Sequence, residues 1–119
     1  MTSDELQTLI EDATADYAIG ESDAAVEKLE RATSAAPESF EAWHALAEVN
    51  FSMRKLDAAL AAAERAHALR PSDLFINTTL SRIWMERGDK PRAEHFGAQA
   101  KIQSWKDQLK NPAADSGAL

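Results

Sequence analysis

The stretch SAAPESFEAWHAL, residues 34–46, stops an alanine-rich helical pattern at Pro37 and restarts it at once. A second proline, Pro71, sits in nearly the same setting within HALRPSDLFINTTL, residues 67–80, 34 positions further on. Proline cannot continue a helix, and it pushes its predecessor away from helical angles. Each proline therefore predicts a short turn after which the next helix folds back antiparallel. Sliding the sequence by 34 places Ala25 on Ala59 and Ala93, Ala32 on Ala66 and Ala100, Ala13 on Ala47 and Ser81, and Gly20 on Arg54 and Gly88. Small residues held in phase belong where two helices cross and their backbones approach. A period of this length is the mark of stacked helical hairpins.

The helices can be placed from their ends. The first is expected to run from a Thr2/Ser3 cap to about Ile19, broken by Gly20. Ser22 is expected to cap the second, which stops before Pro37. The third and fourth are expected over about 39–53 and 55–69. The fifth starts at Ser72 or Asp73 and ends at Gly88, and Asp89 caps a sixth with Pro91 in its first turn. The sixth reaches Lys110, and no segment alternates as a strand does. The three copies are expected at about 6–39, 40–73 and 74–107. Together they form one domain over 1–110, with a flexible tail over 111–119.

Composition narrows the function. The 119 residues include no cysteine, which removes disulfides and thiolate chemistry. The net charge of −7 argues against nucleic acid as a partner. No apolar run is long enough to insert into a membrane, and the acidic start does not read as a signal peptide. A cytoplasmic protein is expected, and the alanine-rich, cysteine-free sequence suggests a bacterial one. Charge is uneven. Residues 1–39 hold ten acids and two bases, whereas residues 74–119 hold five acids and seven bases. His44, His67 and His95 show no metal-ligand spacing with one another, although Glu41 and Glu48 flank His44 at i−3 and i+4. No phosphate loop or nucleophile motif is present, so neither an enzyme nor a cofactor is expected.

The pattern resembles the tetratricopeptide repeat family, whose signature is W-x2-L-G-x2-Y, then A-x3-F, then A and P. The middle copy matches it with Trp43, Leu46, Ala47, Ala59, Ala66 and Pro71. The first offers Leu9, Ala13, Ala25, Leu29, Ala32 and Pro37, and the third Leu80, Ser81, Trp84, Gly88, Ala93, Phe96 and Ala100. The resemblance implies an all-α fold: a right-handed α-solenoid of three helix-turn-helix hairpins, with an extended C-terminal capping helix. The departures are Asp12 at an expected core leucine, Asp16 and Asn50 at the tyrosine place, and Trp105 at the place of a third proline. Trp43 and Trp84 are expected in the core. Trp105 is expected to pack the capping helix, or else to stand exposed as a docking residue.

In this family the first helix of each hairpin lines a concave groove. Carried over, the lining comprises Ile10, Thr14 and Tyr17 from the first copy. Glu41, His44, Glu48 and Phe51 follow from the second, and Phe75, Thr78, Arg82 and Met85 from the third. Tyr17 and Phe51 could equally be core residues displaced by one position. Aromatics and a methionine beside carboxylates suit a protein or peptide partner with apolar anchors and basic charge. Family members that hold acidic chaperone tails use a Lys, Asn and Arg clamp. The matching places here are Ile10, Thr14, Ala45, Phe75 and Thr79, none of them basic or Asn, which disfavours that ligand. The resemblance implies a non-catalytic interaction scaffold or adaptor. The alternative is a structural protein that assembles into a homo-oligomer through its acidic N-terminal and basic C-terminal ends.

Overall fold

A computed structural model describes residues 1–110, and the expected tail at 111–119 lies outside the described residues. The described chain is all-α, with no strand among these residues. Its helices are α1 (Ser3–Ala18), α2 (Ser22–Ala35), α3 (Phe40–Ser52), α4 (Leu56–Leu69), α5 (Leu74–Glu86) and α6 (Lys90–Lys110). They pair as hairpins: α1 with α2, α3 with α4, and α5 with α6. The chain divides into two compact units, Met1–Pro71 with the first two hairpins, and the residues from Ser72 on with the third.

The turns repeat as the sequence does. Gly20, Arg54 and Gly88 all take positive φ, at 88°, 64° and 81°. After each, an amide reaches back to the carbonyl five residues earlier. Glu21 N donates to Asp16 O at 2.8 Å, Lys55 N to Asn50 O at 2.9 Å, and Asp89 N to Trp84 O at 2.9 Å. This is the bonding that closes a helix with a left-handed residue, which glycine adopts without a Cβ penalty. Ahead of the prolines, Ala36 and Arg70 share one non-helical conformation, φ −136°, ψ 74° and φ −141°, ψ 80°. The proline rings exclude helical angles there.

Three helix starts have side-chain caps on the first helix of a hairpin: Thr2 to Glu5 N, Ser39 to Ala42 N and Asp73 to Ile76 N. Ser39 and Asp73 are in phase, whereas Thr2 starts α1 a turn early, before the expected repeat boundary at residue 6. Asp89 caps α6 as expected, with Oδ1 accepting from Arg92 N at 3.0 Å. The expected Ser22 cap is corrected. Ser22 is the first helical residue of α2, and Glu21 takes the cap position without a side-chain hydrogen bond. The turn closed at Gly20 brings the chain into helical angles one residue sooner.

The in-phase alanines are the crossings. Ala13, Ala25, Ala32, Ala47, Ala59 and Ala66 are fully buried in the first unit, and Ala93 and Ala100 are buried in the second. Leu29 in the first unit, with Ile76, Leu80 and Ile83 in the second, fills the cores around them. Each such side chain contributes about 1.5–3 kcal/mol by leaving water. Asp12 is exposed, so α1 packs through Leu9, Ile10 and Ala13 instead. At the tyrosine place, Asp16 pairs with Lys28 at 2.6 Å and ties α1 to α2. Asn50 is buried and donates from Nδ2 to Leu46 O at 3.0 Å.

The tryptophans correct the expected core. Trp43 and Trp84 are half-buried at its margin. Trp43 Nε1 donates to Pro37 O at 2.8 Å, and Arg65 covers its ring at 5.4 Å. Trp84 lies beneath Arg87 and Arg92, at 5.5 and 4.9 Å. The Pro37 carbonyl satisfies the indole N–H of Trp43, and the guanidinium groups lie over the rings. Trp105 is 66% exposed on the side of α6 away from α5, so of the two expectations for it the exposed one holds and the packing role is corrected.

Candidate functional site: the exposed faces of the first helices

Residues three, four and seven apart share one side of a helix. On α5, Phe75, Thr78, Arg82 and Met85 therefore form one face, opposite the buried Ile76, Leu80 and Ile83. Phe75 is 66% exposed and Met85 56%. The same register on α3 places Glu41, His44, Glu48 and Phe51 on one side, and on α1 it places Ile10, Thr14 and Tyr17.

In the first unit α1 packs against α3, so their faces belong to one surface. Tyr17 is exposed and Phe51 half-buried there, and Glu41 is exposed. Ile10 is buried at 8% exposure, so its side chain serves the packing of α1 and offers a partner little area. Thr14 Oγ1 donates to Ile10 O at 2.9 Å, which spends its donor on its own helix. His44 Nε2 lies 3.6 Å from Glu48 Oε1, and its ring packs on Phe40 with centroids 5.5 Å apart. The half-buried imidazole joins a carboxylate face to the core. Among the described residues no group of three His, Asp or Glu side chains is placed to hold a metal ion.

In the second unit Phe75, Thr78, Arg82 and Met85 form the exposed face of α5. Thr78 Oγ1 also donates to its own helix, at Leu74 O, 2.9 Å away. Thr79, one of the clamp places, is buried and donates to Phe75 O at 2.9 Å. It therefore leaves the clamp comparison without a surface side chain at that position. The two units thus present different chemistry: aromatic and acidic on α1 and α3, aromatic, methionine and arginine on α5.

Sequence reasoning offered Trp105 as an exposed docking residue but missed Ile102 and Leu109, which are exposed beside it on the outer side of α6. Their spacing of three and four residues from Trp105 was the signal that could have found them. No described helix is long and apolar enough to cross a membrane.

No family model and no curated protein matches the chain. Solved structures do. MamA superposes with a TM-score of 0.83 at 21% identity, over 87% of this chain and 61% of MamA. The chain thus spans about three-fifths of the length of that relative. The type III secretion translocator chaperone SycD of Yersinia enterocolitica matches with a TM-score of 0.83 at 16% identity, over 98% of this chain and 89% of SycD. A mutant O-GlcNAc transferase of Thermobaculum terrenum matches with a TM-score of 0.78 at 22% identity, over 87% of this chain and 20% of the enzyme. At these identities the likeness is one of fold. It places the chain among helical-repeat folds of the tetratricopeptide kind.

Proposed function

We propose that this protein is a non-catalytic interaction scaffold that binds a segment of a partner protein on the exposed faces of its first helices. The observation that carries the reading is the placement of Tyr17, Phe51, Phe75 and Met85. Tyr17 is exposed on the side of α1 that carries Ile10, Phe51 is half-buried on the side of α3 that carries Glu41 and His44, and Phe75 and Met85 are more than half exposed on the face of α5 opposite its buried residues. Large apolar side chains presented to water on a helix face are anchors for a partner peptide or amphipathic helix. The carboxylates of Glu41 and Glu48 beside them favour a partner with basic charge. The fold shared with a translocator chaperone and with MamA supports a binding role, since such folds offer long surfaces to partners. No cofactor enters this reading.

The test is selection from a random peptide library, followed by affinity measurement on purified chains. Peptides enriched in lysine, arginine and spaced apolar residues are expected. Their affinity should fall at least about tenfold for a Tyr17→Ala, Phe51→Ala, Phe75→Ala variant that keeps its helical circular dichroism. Enrichment of acidic peptides, or equal affinity for wild type and variant, would sink the reading.

A further inference from the structure

The sixth helix has two apolar sides. Toward α5 it turns Ala93 and Ala100, both buried, with Phe96, Gly97, Gln103 and Ser104 half-buried beside them. On the opposite side stand Ala98, Ile102, Trp105 and Leu109, again at spacings of three and four. Ile102 is 46% exposed, Trp105 66% and Leu109 81%. A helix covered on one side requires one apolar stripe. A second stripe of large side chains facing water marks a docking surface. Lys101 flanks it on one side and Lys106 and Lys110 on the other, with Asp107 the acid of this segment.

The complement of that surface exists at the other end of the same sequence. An open groove of about 760 Å³ runs along α2. Met1, which is 60% exposed, and half-buried Val26 supply its apolar surface. Asp23, Glu27 and Glu30, spaced as i, i+4 and i+7, form an acidic edge, and among the charged side chains Arg31 is outnumbered three to one. The stripe from Ala98 to Leu109 and the groove side of α2 from Asp23 to Ser34 each cover eleven helical steps, about 16 Å. Residues 3–35 carry nine carboxylates against Lys28 and Arg31, whereas α6 carries five bases against Glu94 and Asp107. Two copies of α6 would set lysine against lysine, while α6 on α2 sets lysine against carboxylate.

We propose that the Ile102–Trp105–Leu109 stripe of one copy docks in the α2 groove of a second copy, a head-to-tail contact between chains. Such a contact leaves a free stripe at one end and a free groove at the other, so it propagates into chains or closes into a ring. It uses neither Tyr17, Phe51 nor Phe75, so the peptide-binding reading stands or falls separately.

Sedimentation velocity on the full chain, over a range of concentrations in low and high salt, tests the contact. The average mass of wild type should rise with concentration in low salt and fall back in high salt. Trp105→Glu, which breaks the stripe, and a Glu27→Lys, Glu30→Lys variant, which breaks the groove, should each be monomeric. All three positions are exposed, and circular dichroism checks that both variants fold. Mixed in equal amounts, the two variants should form a one-to-one dimer and nothing longer, because the mixture holds one intact stripe and one intact groove. Wild type that stays monomeric at every concentration in low salt would overturn the proposal, as it would if the chain's own C-terminal residues covered the stripe. Undiminished association of the groove variant would overturn it in favour of stripe-to-stripe pairing. A mixture that remains monomeric would overturn it as well.

Discussion

Ser81 Oγ donates a hydrogen bond of 2.7 Å to the carbonyl oxygen of Ala93, joining α5 to α6. Ser81 holds the phase position of Ala13 and Ala47, and Ala93 that of Ala25 and Ala59. In the first unit these two phase positions hold fully buried alanines; in the second they are joined by a hydroxyl on a backbone carbonyl. The same hydroxyl sets the space above Gly97, where an added Cβ would come within 3.2 Å of it.

Ser81→Ala is expected to cost about 0.5–1.5 kcal/mol in urea unfolding, since one part-buried hydrogen bond is lost. Gly97→Ala alone should gain little, because its helix propensity, worth about 1 kcal/mol, is offset by crowding against the hydroxyl. In the Ser81→Ala background the crowding is gone, and Gly97→Ala should stabilise by about 1 kcal/mol. Additive behaviour of the two changes would show that the hydroxyl does not set the spacing.

Gly20→Ala and Gly88→Ala should each lower stability by about 1 kcal/mol, although nothing lies within 4 Å of the new methyl group at either place. The cost arises from the positive φ and not from packing. Melting curves unchanged from wild type would contradict the left-handed turns.

Ala59→Leu should cost about 1–3 kcal/mol, because Ala59 has no exposed surface at its helix crossing. Ala61→Leu, on the same helix but exposed, should stay within about 0.5 kcal/mol of wild type. Equal effects at the two positions would mean that α4 is rotated from the orientation described.

Acid titration followed by NMR should find Glu5 and Asp89 below the ordinary carboxylate range. The Thr2 backbone amide and then its hydroxyl lower Glu5, and the Arg92 amide and then its guanidinium lower Asp89. A depressed carboxylate contributes stability that is present above its unfolded pKa and is lost as pH falls through the folded one. Arg92→Gln should raise the Asp89 midpoint only part of the way, since the amide bond, the larger cause, remains. Lys28 has the opposite sign. Its bond to Asp16 raises it, so its contribution is present below the ordinary lysine value and is lost as alkali deprotonates it. An Asp89 midpoint at the free-peptide value would remove the cap.

The repeat, its turns and its crossings were legible in the sequence because each depends on local rules. Pro37 and Pro71 exclude helical angles at Ala36 and Arg70, and glycine marks two of the three left-handed residues. Alanine recurs at the buried phase positions of the crossings, with Ser81 the exception. Arg54, Ser22 and Ile10 were less legible. Arg54 takes a glycine's conformation under the constraint of its turn, a one-residue shift hands the Ser22 cap to Glu21, and Ile10 is drawn from the surface into the packing of α1.

What the sequence by itself determined, then, was where helices begin, end and cross, since φ/ψ preference and side-chain volume act at or near the residue concerned. Only the tertiary structure decided which apolar side chains meet water. Trp43, Trp84 and Trp105 are the same residue type at helical positions, yet two are half-covered by arginine stems and one stands exposed. Burial belongs to the pair of surfaces that meet, and Trp105 lies on the side of α6 turned away from α5.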